Sequence, residues 1–354
     1  MAENDLTVTL QQQVQAAYAD KTPLNIVGGN SKAFYGRQIS GSRLDMSGHR
    51  GIISYEPTEL VLTARAGTPL VEIEQALATQ GQMLAFEPPH WGPGATLGGA
   101  VACNLSGPRR PYAGSARDFV LGCRVINGKG ELLKFGAEVM KNVAGYDAAR
   151  LMTGALGTLG VLLDISLKVL PAPQQDLTLI QSCTLAEAII RMNRMAVQPL
   201  PLSASAWFDG HLYLRFSGAD SAVAAVKARE AGDVLADAAA FWLSLRELNL
   251  PFFAGAEKLW RIALPQTAAQ PELPGDWLID WGGAQRWLRS TAAVDEVRTL
   301  VAGLGGHATL MHGGDRAGTV FQPLPAGLWQ LHQRLKLAFD PAGILNPGRM
   351  YEGL

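Results

Sequence analysis

Three stretches of glycine and small polar residues punctuate this chain: Gly28-Gly29-Asn30-Ser31-Lys32, Gly92-Pro93-Gly94-Ala95-Thr96-Leu97-Gly98-Gly99 and Gly154-Ala155-Leu156-Gly157-Thr158-Leu159-Gly160. Glycine lets backbone N–H groups approach a ligand closely and adopt positive φ at little cost. Consecutive N–H groups aimed at one point form an anion nest, suited to a pyrophosphate. Thr96 adds a hydroxyl, and residues 97–104 read as a short buried helix whose N-terminus faces the same anion. Lys32 adds a cation to the first stretch. Each stretch alone is also what a close crossing of two elements requires; the anion reading gains from their number. The first stretch lacks the G-x-x-x-x-G-K-[ST] spacing of a P-loop and the G-x-G-x-x-G of a dinucleotide fold. That argues against a kinase, an ATPase or a nicotinamide dehydrogenase of Rossmann type.

These stretches need a scaffold, and 354 residues, 48% of them apolar, are enough for two domains with a substantial core. A formal charge of −1 without a basic stripe excludes a nucleic-acid footprint. Cys103, Cys123 and Cys183 are too few and too scattered for a disulfide framework or a structural zinc site. The polar N-terminus is unlike a signal peptide. No apolar run approaches the ~20 residues that span a bilayer. The expected setting is cytoplasmic.

The elements follow from periodicity. Leu6, Leu10, Val14, Ala17 and Tyr18 predict an amphipathic first helix, and 24–27 a strand running into the first glycine stretch. Strands are expected at 52–55 and 60–65. A helix follows, with Thr68 as N-cap, Pro69 at its first position and Gly81 after its end. Asn127-Gly128 predicts a tight hairpin between strands 119–126 and 131–135 through positive φ angles. A strand at 161–170 ends at Pro171-Ala172-Pro173, the first credible domain boundary. Beyond it, Thr184 to Glu187 is a capping box opening a helix. A hairpin surrounds Asp209-Gly210, and residues 221–231 and 233–248 read as helices. Strands are expected at 259–264, 277–280 and 307–312, with helices at 292–302 and 328–339. Helices alternating with hairpins predict an antiparallel sheet with helices on one face.

Four sets of residues, in order, resemble the PCMH-type FAD-binding fold shared by vanillyl-alcohol oxidase and the FAD-linked 2-hydroxy-acid dehydrogenases. They are Glu56 to Gln82 with its Glu-Pro-Thr-Glu-Leu and Ala-Gly-Thr-Pro-Leu, and Thr96-Leu97-Gly98-Gly99 followed by Gly114-Ser115-Ala116-Arg117-Asp118. The others are Gly157-Thr158-Leu159-Gly160-Val161 and the tail from Asp340-Pro341 to Asn346-Pro347-Gly348. The short length and the text from Lys141 to Asp147 are most similar to the FAD-binding subunits of bacterial glycolate oxidases. The resemblance implies an α+β fold: a two-lobed FAD-binding domain over 1–172 and a reduced, ferredoxin-like cap domain over 173–326. A C-terminal helix and tail over 327–354 would return to the FAD domain. It also implies that Gly28, Gly29, Asn30, Ser31 and Lys32 hold the pyrophosphate from one side, and Gly94, Thr96, Leu97, Gly98 and Gly99 from the other. Gly114, Ser115, Gly157, Gly160 and Val161 would contact the ribityl, ribose and adenine portions. Relatives that attach FAD covalently use a histidine in the first loop; Asn30 stands there, so FAD is expected to be non-covalent.

The departures from the family matter too. Catalytic relatives carry a metal motif H-x-G-D-G-N-x-H and a Glu-His-Gly before the last helix. Here the corresponding text is Asp209-Gly210-His211 and Met311-His312-Gly313, so no metal is expected. His312 remains the candidate acid/base group, since imidazole titrates near neutral pH; a glycine-flanked loop histidine is the alternative. Arg109, Arg110 and Arg117 are candidates for a substrate carboxylate. The expected activity is oxidation of glycolate or a similar small 2-hydroxy acid. It would occur within a complex holding a catalytic flavoprotein subunit and an iron–sulfur subunit, since this chain has no cysteine cluster for the latter. Peripheral contact with the inner membrane would run through that complex. The rival expectation is a non-catalytic assembly subunit that binds FAD structurally. A stand-alone flavin reductase of the cell-wall precursor pathway shares the fold but fits the tail less well.

Overall fold

The structure, a computed structural model, describes residues 5–136, 147–255 and 257–354. The chain forms two compact units: Met1–Leu105 with Ser115–Pro171 and Asp315–Leu354, and Ser106–Gly114 with Ala172–Gly314. The sequence places these divisions at 172/173 and 326/327. The units change hands at Pro171 and Gly314, and a nine-residue excursion at 106–114 has no sequence signal.

The first unit is built on a five-stranded antiparallel sheet, in the order Ile52–Glu56, Val61–Arg65, Val161–Lys168, Val120–Ile126, Leu132–Gly136. Val161–Lys168 lies centrally because its apolar run can be buried on both faces; only Lys168 escapes burial. The one acid inside it, Asp164, is paired with Arg124 Nε at 2.6 Å. A second, parallel pair, Leu24–Val27 with Ser42–Asp45, sets the first glycine stretch at a strand end. Helix Thr7–Asp20 covers it with Leu10, Val14 and Ala17. The 42–45 strand is short and mostly polar, which hides it from periodicity.

Two sequence expectations fail locally for identifiable reasons. Thr68 does not cap the next helix; its hydroxyl donates to Arg65 O at 2.7 Å, and Pro69 occupies the cap ahead of Leu70–Ala78. The Asn127-Gly128 turn does not use positive φ at Gly128; Gly130 carries it instead, at +78°. Asn127 organises that loop by accepting from the N–H groups of Lys129 and Glu131. Gly128 is glycine because a Cβ there would sit 2.3 Å from Asp340 Oδ1.

The second unit is an eight-stranded sheet, paired antiparallel throughout. Its order is Asp233–Val234, Gln175–Ser182, His211–Gly218, Leu202–Phe208, Asp276–Asp280, Gln285–Ser290, Lys258–Ala263, His307–His312. Helices Leu185–Ala196, Asp220–Arg229 and Val294–Gly303 bury Met192, Val226 and Val297 against one face. Thr184 and Glu187 form the expected capping box, a device that contributes about 1 kcal/mol. Residues 233–248 are not one helix. They give the edge strand Asp233–Val234 and the helix Ala238–Arg246. That helix lies on the opposite face, where Trp242 Nε1 donates to Thr178 Oγ1 and Phe241 stacks on Tyr213 at 3.9 Å. The strand Gln285–Ser290 was also missed, because its arginines and tryptophan interrupt the apolar alternation that marks a strand.

Candidate functional site

The first two glycine stretches meet within the first unit. A Cβ on Gly29 would lie 1.4 Å from Gly94 O, and one on Gly28 would lie 2.6 Å from Thr96 Oγ1. No side chain larger than hydrogen allows this approach. Asn30 takes φ +60°, a conformation asparagine tolerates better than most residues. The N–H groups of Gly29, Asn30 and Ser31 make no hydrogen bond among the described residues. Successive donors left in this way are what an anion nest requires. Lys32 is buried, 7% exposed, and its Nζ reaches His90 O at 3.1 Å and sits 5.9 Å from the Trp91 ring centre.

The helix Leu97–Cys103 contributes differently from expectation. Thr96 caps it by accepting from Gly99 N at 3.2 Å. Leu97 N donates to Thr68 O and Gly98 N to Ala66 O. The N–H groups of 97–99 are therefore committed to protein oxygens, unlike those of 29–31. Gly98 has a packing reason: its Cβ would lie 2.7 Å from Ala66 Cβ.

The third stretch rests on the C-terminal end of that helix, where Gly154 N and Leu156 N donate to Val101 O and Ala102 O. Gly157, at φ +72°, leaves room for Asn346, whose Nδ2 would be 2.7 Å from a Cβ. Gly160 is in ordinary contact with Ile126, and Val161 is fully buried in the core. Gly114, at φ +109°, closes the excursion grouped with the second unit. Ser115 opens the return; its hydroxyl and its N–H both donate to Asp118 Oδ2 at 2.8 Å.

The tail joins the first and third stretches. Asn346 Oδ1 accepts from Ile26 N at 2.7 Å, and its Nδ2 donates to Leu156 O at 2.7 Å. Lys336 Nζ donates to Thr158 O, Leu345 O and Asp340 Oδ2. Arg349 donates to Arg37 O, Lys32 O and Ala33 O, and among the described residues it holds no carboxylate. Arg316 donates to Phe34 O and Gly36 O. Burial pushes the pKa of both arginines down, and the Arg349 charge pushes Arg316 further. Burial drives the Cys103 thiol up to about 11, against the opposing pull of Lys32 and Arg349. Arg316 and Arg349 were missed by sequence reading; the only signal was a basic residue directly after Asn346-Pro347-Gly348.

These residues fit a dinucleotide pyrophosphate: unpaired N–H donors, a close backbone approach that a Cβ would fill, and buried cations bound to carbonyls. The remaining candidates lie elsewhere. His312 ends the strand His307–His312, exposed and opposite Leu259. His211 is a hairpin residue, its Nδ1 2.7 Å from Asp209 O. Arg109 pairs with Asp176 at 3.8 Å, and Arg110 lies 4.4 Å from the centre of the Trp281 ring. Arg117 belongs to the turn after Ser115. Among the described residues no group of three or more His, Cys, Asp or Glu is placed to hold a metal. The text resembling glycolate oxidase subunits at 141–146 lies outside the described residues.

Comparison with known proteins bears on the same regions. Residues 7–136 match the family described as FAD binding domain, and residues 277–350 match FAD linked oxidases, C-terminal domain. Glycolate oxidase subunit GlcE of Escherichia coli (strain K12) is 52% identical over 354 residues, the whole of both chains. Glycolate oxidase subunit GlcD of Bacillus subtilis (strain 168) is 32% identical over 133 residues, 36% of this chain and 27% of that one. In solved structures, 4-ethylphenol oxidase from Gulosibacter chungangensis aligns over 98% of this chain and 88% of its own. Its TM-score is 0.68 at 14% identity, a likeness of fold. The chain belongs to the FAD-linked oxidase family with a PCMH-type FAD-binding domain.

Proposed function

We propose that this chain is the FAD-binding subunit of a multi-chain glycolate oxidase, acting in oxidation of glycolate or a similar small 2-hydroxy acid to the 2-oxo acid. The observation that carries this is the 52% identity, end to end, to a chain named as a glycolate oxidase subunit. GlcE and GlcD both bear that oxidase's name, so the named enzyme has more than one kind of chain. Bound FAD supplies the two-electron acceptor. This chain's part is to bind and orient it. Gly29, Asn30 and Ser31 offer N–H donors to the pyrophosphate, Lys32 offers charge, and Gly28, Gly94, Thr96, Leu97, Gly98 and Gly99 shape the approach. Ser115, Gly157 and Gly160, in the same unit, complete the cofactor's surroundings, whereas Val161 is fully buried and offers it no surface. With Asn30 in place of a histidine, the flavin is held without a covalent bond.

Electrons leave through partner chains, one of them an iron–sulfur subunit. Cys103, Cys123 and Cys183 are widely separated in sequence, and burial raises all three thiols above their usual range. No helix among the described residues is long and apolar enough to cross a membrane, so contact with the inner membrane would run through those partners. The exposed position of His312, without an ion-pair partner among the described residues, favours a second reading, in which FAD is structural here and the chemistry belongs to another flavoprotein chain. Dye reduction by glycolate separates the two. The purified chain alone is expected to be slow or inactive, and the reconstituted complex active. A rate from the chain alone matching the complex would overturn the division of labour. A ~10²-fold loss in the complex carrying His312→Ala, with flavin retained, would make His312 catalytic and sink the structural reading.

A further inference from the structure

The sheet face of the second unit that lies away from its three helices carries a polar cluster. Asp280, 2% exposed, accepts from Trp281 N at 2.7 Å and from Gln285 Nε2 at 3.1 Å. The other end of that amide, Gln285 Oε1, accepts from Arg261 Nε at 2.6 Å. Gln285 thus fixes the Arg261 fork with a neutral acceptor. Among the described residues Arg261 has no carboxylate within ion-pair distance, and its two Nη atoms have no acceptor. Its charge is felt nearby, since desolvation and Arg261 together push the pKa of His307 down.

Trp281 is held in a costly conformation beside it. Its φ is +54°, and Gly282 and Gly283 continue the turn at +65° and +99°. A bulky residue in this region is strained and persists only where its surroundings over-determine it. Trp281 Nε1 donates to Gly107 O at 3.0 Å, which pins the ring. Two guanidinium groups approach that ring: Arg110 at 4.4 Å and Arg261 at 5.0 Å from its centroid. A further donor is unused: Trp287 is 4% exposed, its Nε1 has no partner among the described residues, and it stands directly across from Arg261 in the sheet. A buried donor left unmade is costly.

We propose that Arg261, with Trp281, Trp287 and Gln285, forms a carboxylate-binding site for a small 2-hydroxy or 2-oxo acid. The guanidinium fork takes the carboxylate through two parallel N–H bonds, a geometry an ammonium cannot reproduce. The indole of Trp281 forms an apolar wall. One guanidinium fork balances the single charge of a carboxylate and leaves a phosphate dianion half-compensated. The choice of acid rests on the function proposed above; the site itself rests on the geometry.

The test is calorimetric titration of the purified full chain, with its flavin content read from visible absorbance in the same sample. Glycolate and acetate are expected to bind saturably, while ethylene glycol and inorganic phosphate do not. Arg261→Gln should weaken glycolate binding at least tenfold with flavin content unchanged. Arg261→Lys, which keeps charge and stem, should recover only part of the loss. Flavin-loaded wild-type chain with no saturable carboxylate binding overturns the site and leaves the function standing. Carboxylate binding by chain that cannot be loaded with FAD supports the site and removes the function. Equal affinity in wild type and Arg261→Lys, or phosphate binding as tightly as glycolate, overturns the fork.

Discussion

At the scale of single residues, the cofactor site depends on what is missing from Gly28 and Gly29 as much as on what Lys32 supplies. The space a Cβ would need at Gly29 is occupied by the carbonyl of Gly94, 1.4 Å away. Gly29→Ala must therefore separate the first two glycine stretches and scatter the N–H groups of 29–31. Measured by flavin fluorescence on titration with FAD, this variant should lose affinity by ~10²-fold, about 2.7 kcal/mol. Wild-type affinity in Gly29→Ala would remove the contact between the two stretches from the site. Gly98 differs in kind. Its neighbour is Ala66 rather than a ligand, so a valine there would disturb folding first, by overpacking a closed contact.

At the scale of elements, the last helix, Ala326–Phe339, is unusual in that its one fully buried residue is Lys336. The ammonium is acceptable there because it has three acceptors, one each from the third glycine stretch, the tail and Asp340. Burial still pushes its pKa down, opposed by the Asp340 charge. Asp340 in turn accepts from Ile344 N and Leu345 N, so the pair determines where the tail turns back. Breaking a buried pair from one side leaves an uncompensated charge and costs about 3–5 kcal/mol. Lys336→Met should show a loss of that size in urea unfolding and weaker FAD binding, since Thr158 and Leu345 lose their common donor. A melting curve like that of wild type would mean that the tail is anchored by Asn346 alone.

At the scale of the whole molecule, the family and the first loop combine into one expectation about the cofactor's attachment. No histidine lies in 28–32, where asparagine, serine and lysine surround the donors. Acid precipitation of the loaded chain should leave all yellow colour in the supernatant. Flavin retained in the pellet would contradict a non-covalent site. The exposed leucines of the last helix, Leu328, Leu331 and Leu337, and the tryptophans of the second unit are separate features. Most of those tryptophans are buried within that unit's own packing, among them Trp242, Trp260, Trp281 and Trp287.

Local chemistry determined much of this protein from the sequence alone. Glycine frees φ and ψ wherever it stands, so the three glycine stretches are legible without coordinates; the long strand, expected to run to Leu170, ends at Lys168, and Leu170–Pro171 pairs with Gln82–Met83 instead. Amphipathic periodicity and a capping box are equally local, and the α+β class follows from them. The tertiary structure decided what those residues touch. Thr68 was legible as a cap, but its hydroxyl donates backward to Arg65 O and Pro69 takes the cap position. Gly128 was legible as a turn residue, but the reason for it is Asp340, more than two hundred positions away. The donors of 97–99 were legible as a nest, yet they face Thr68 and Ala66, and the nest falls at 29–31. The Arg261 cluster has no local signature at all, and the tail motif that holds Asn346 and precedes Arg349 does not say what either side chain bonds. Their partners come from distant segments, and an arginine or asparagine in sequence does not reveal which carbonyl it will meet. Conformational preference belongs to the residue; the satisfaction of polar groups belongs to the fold.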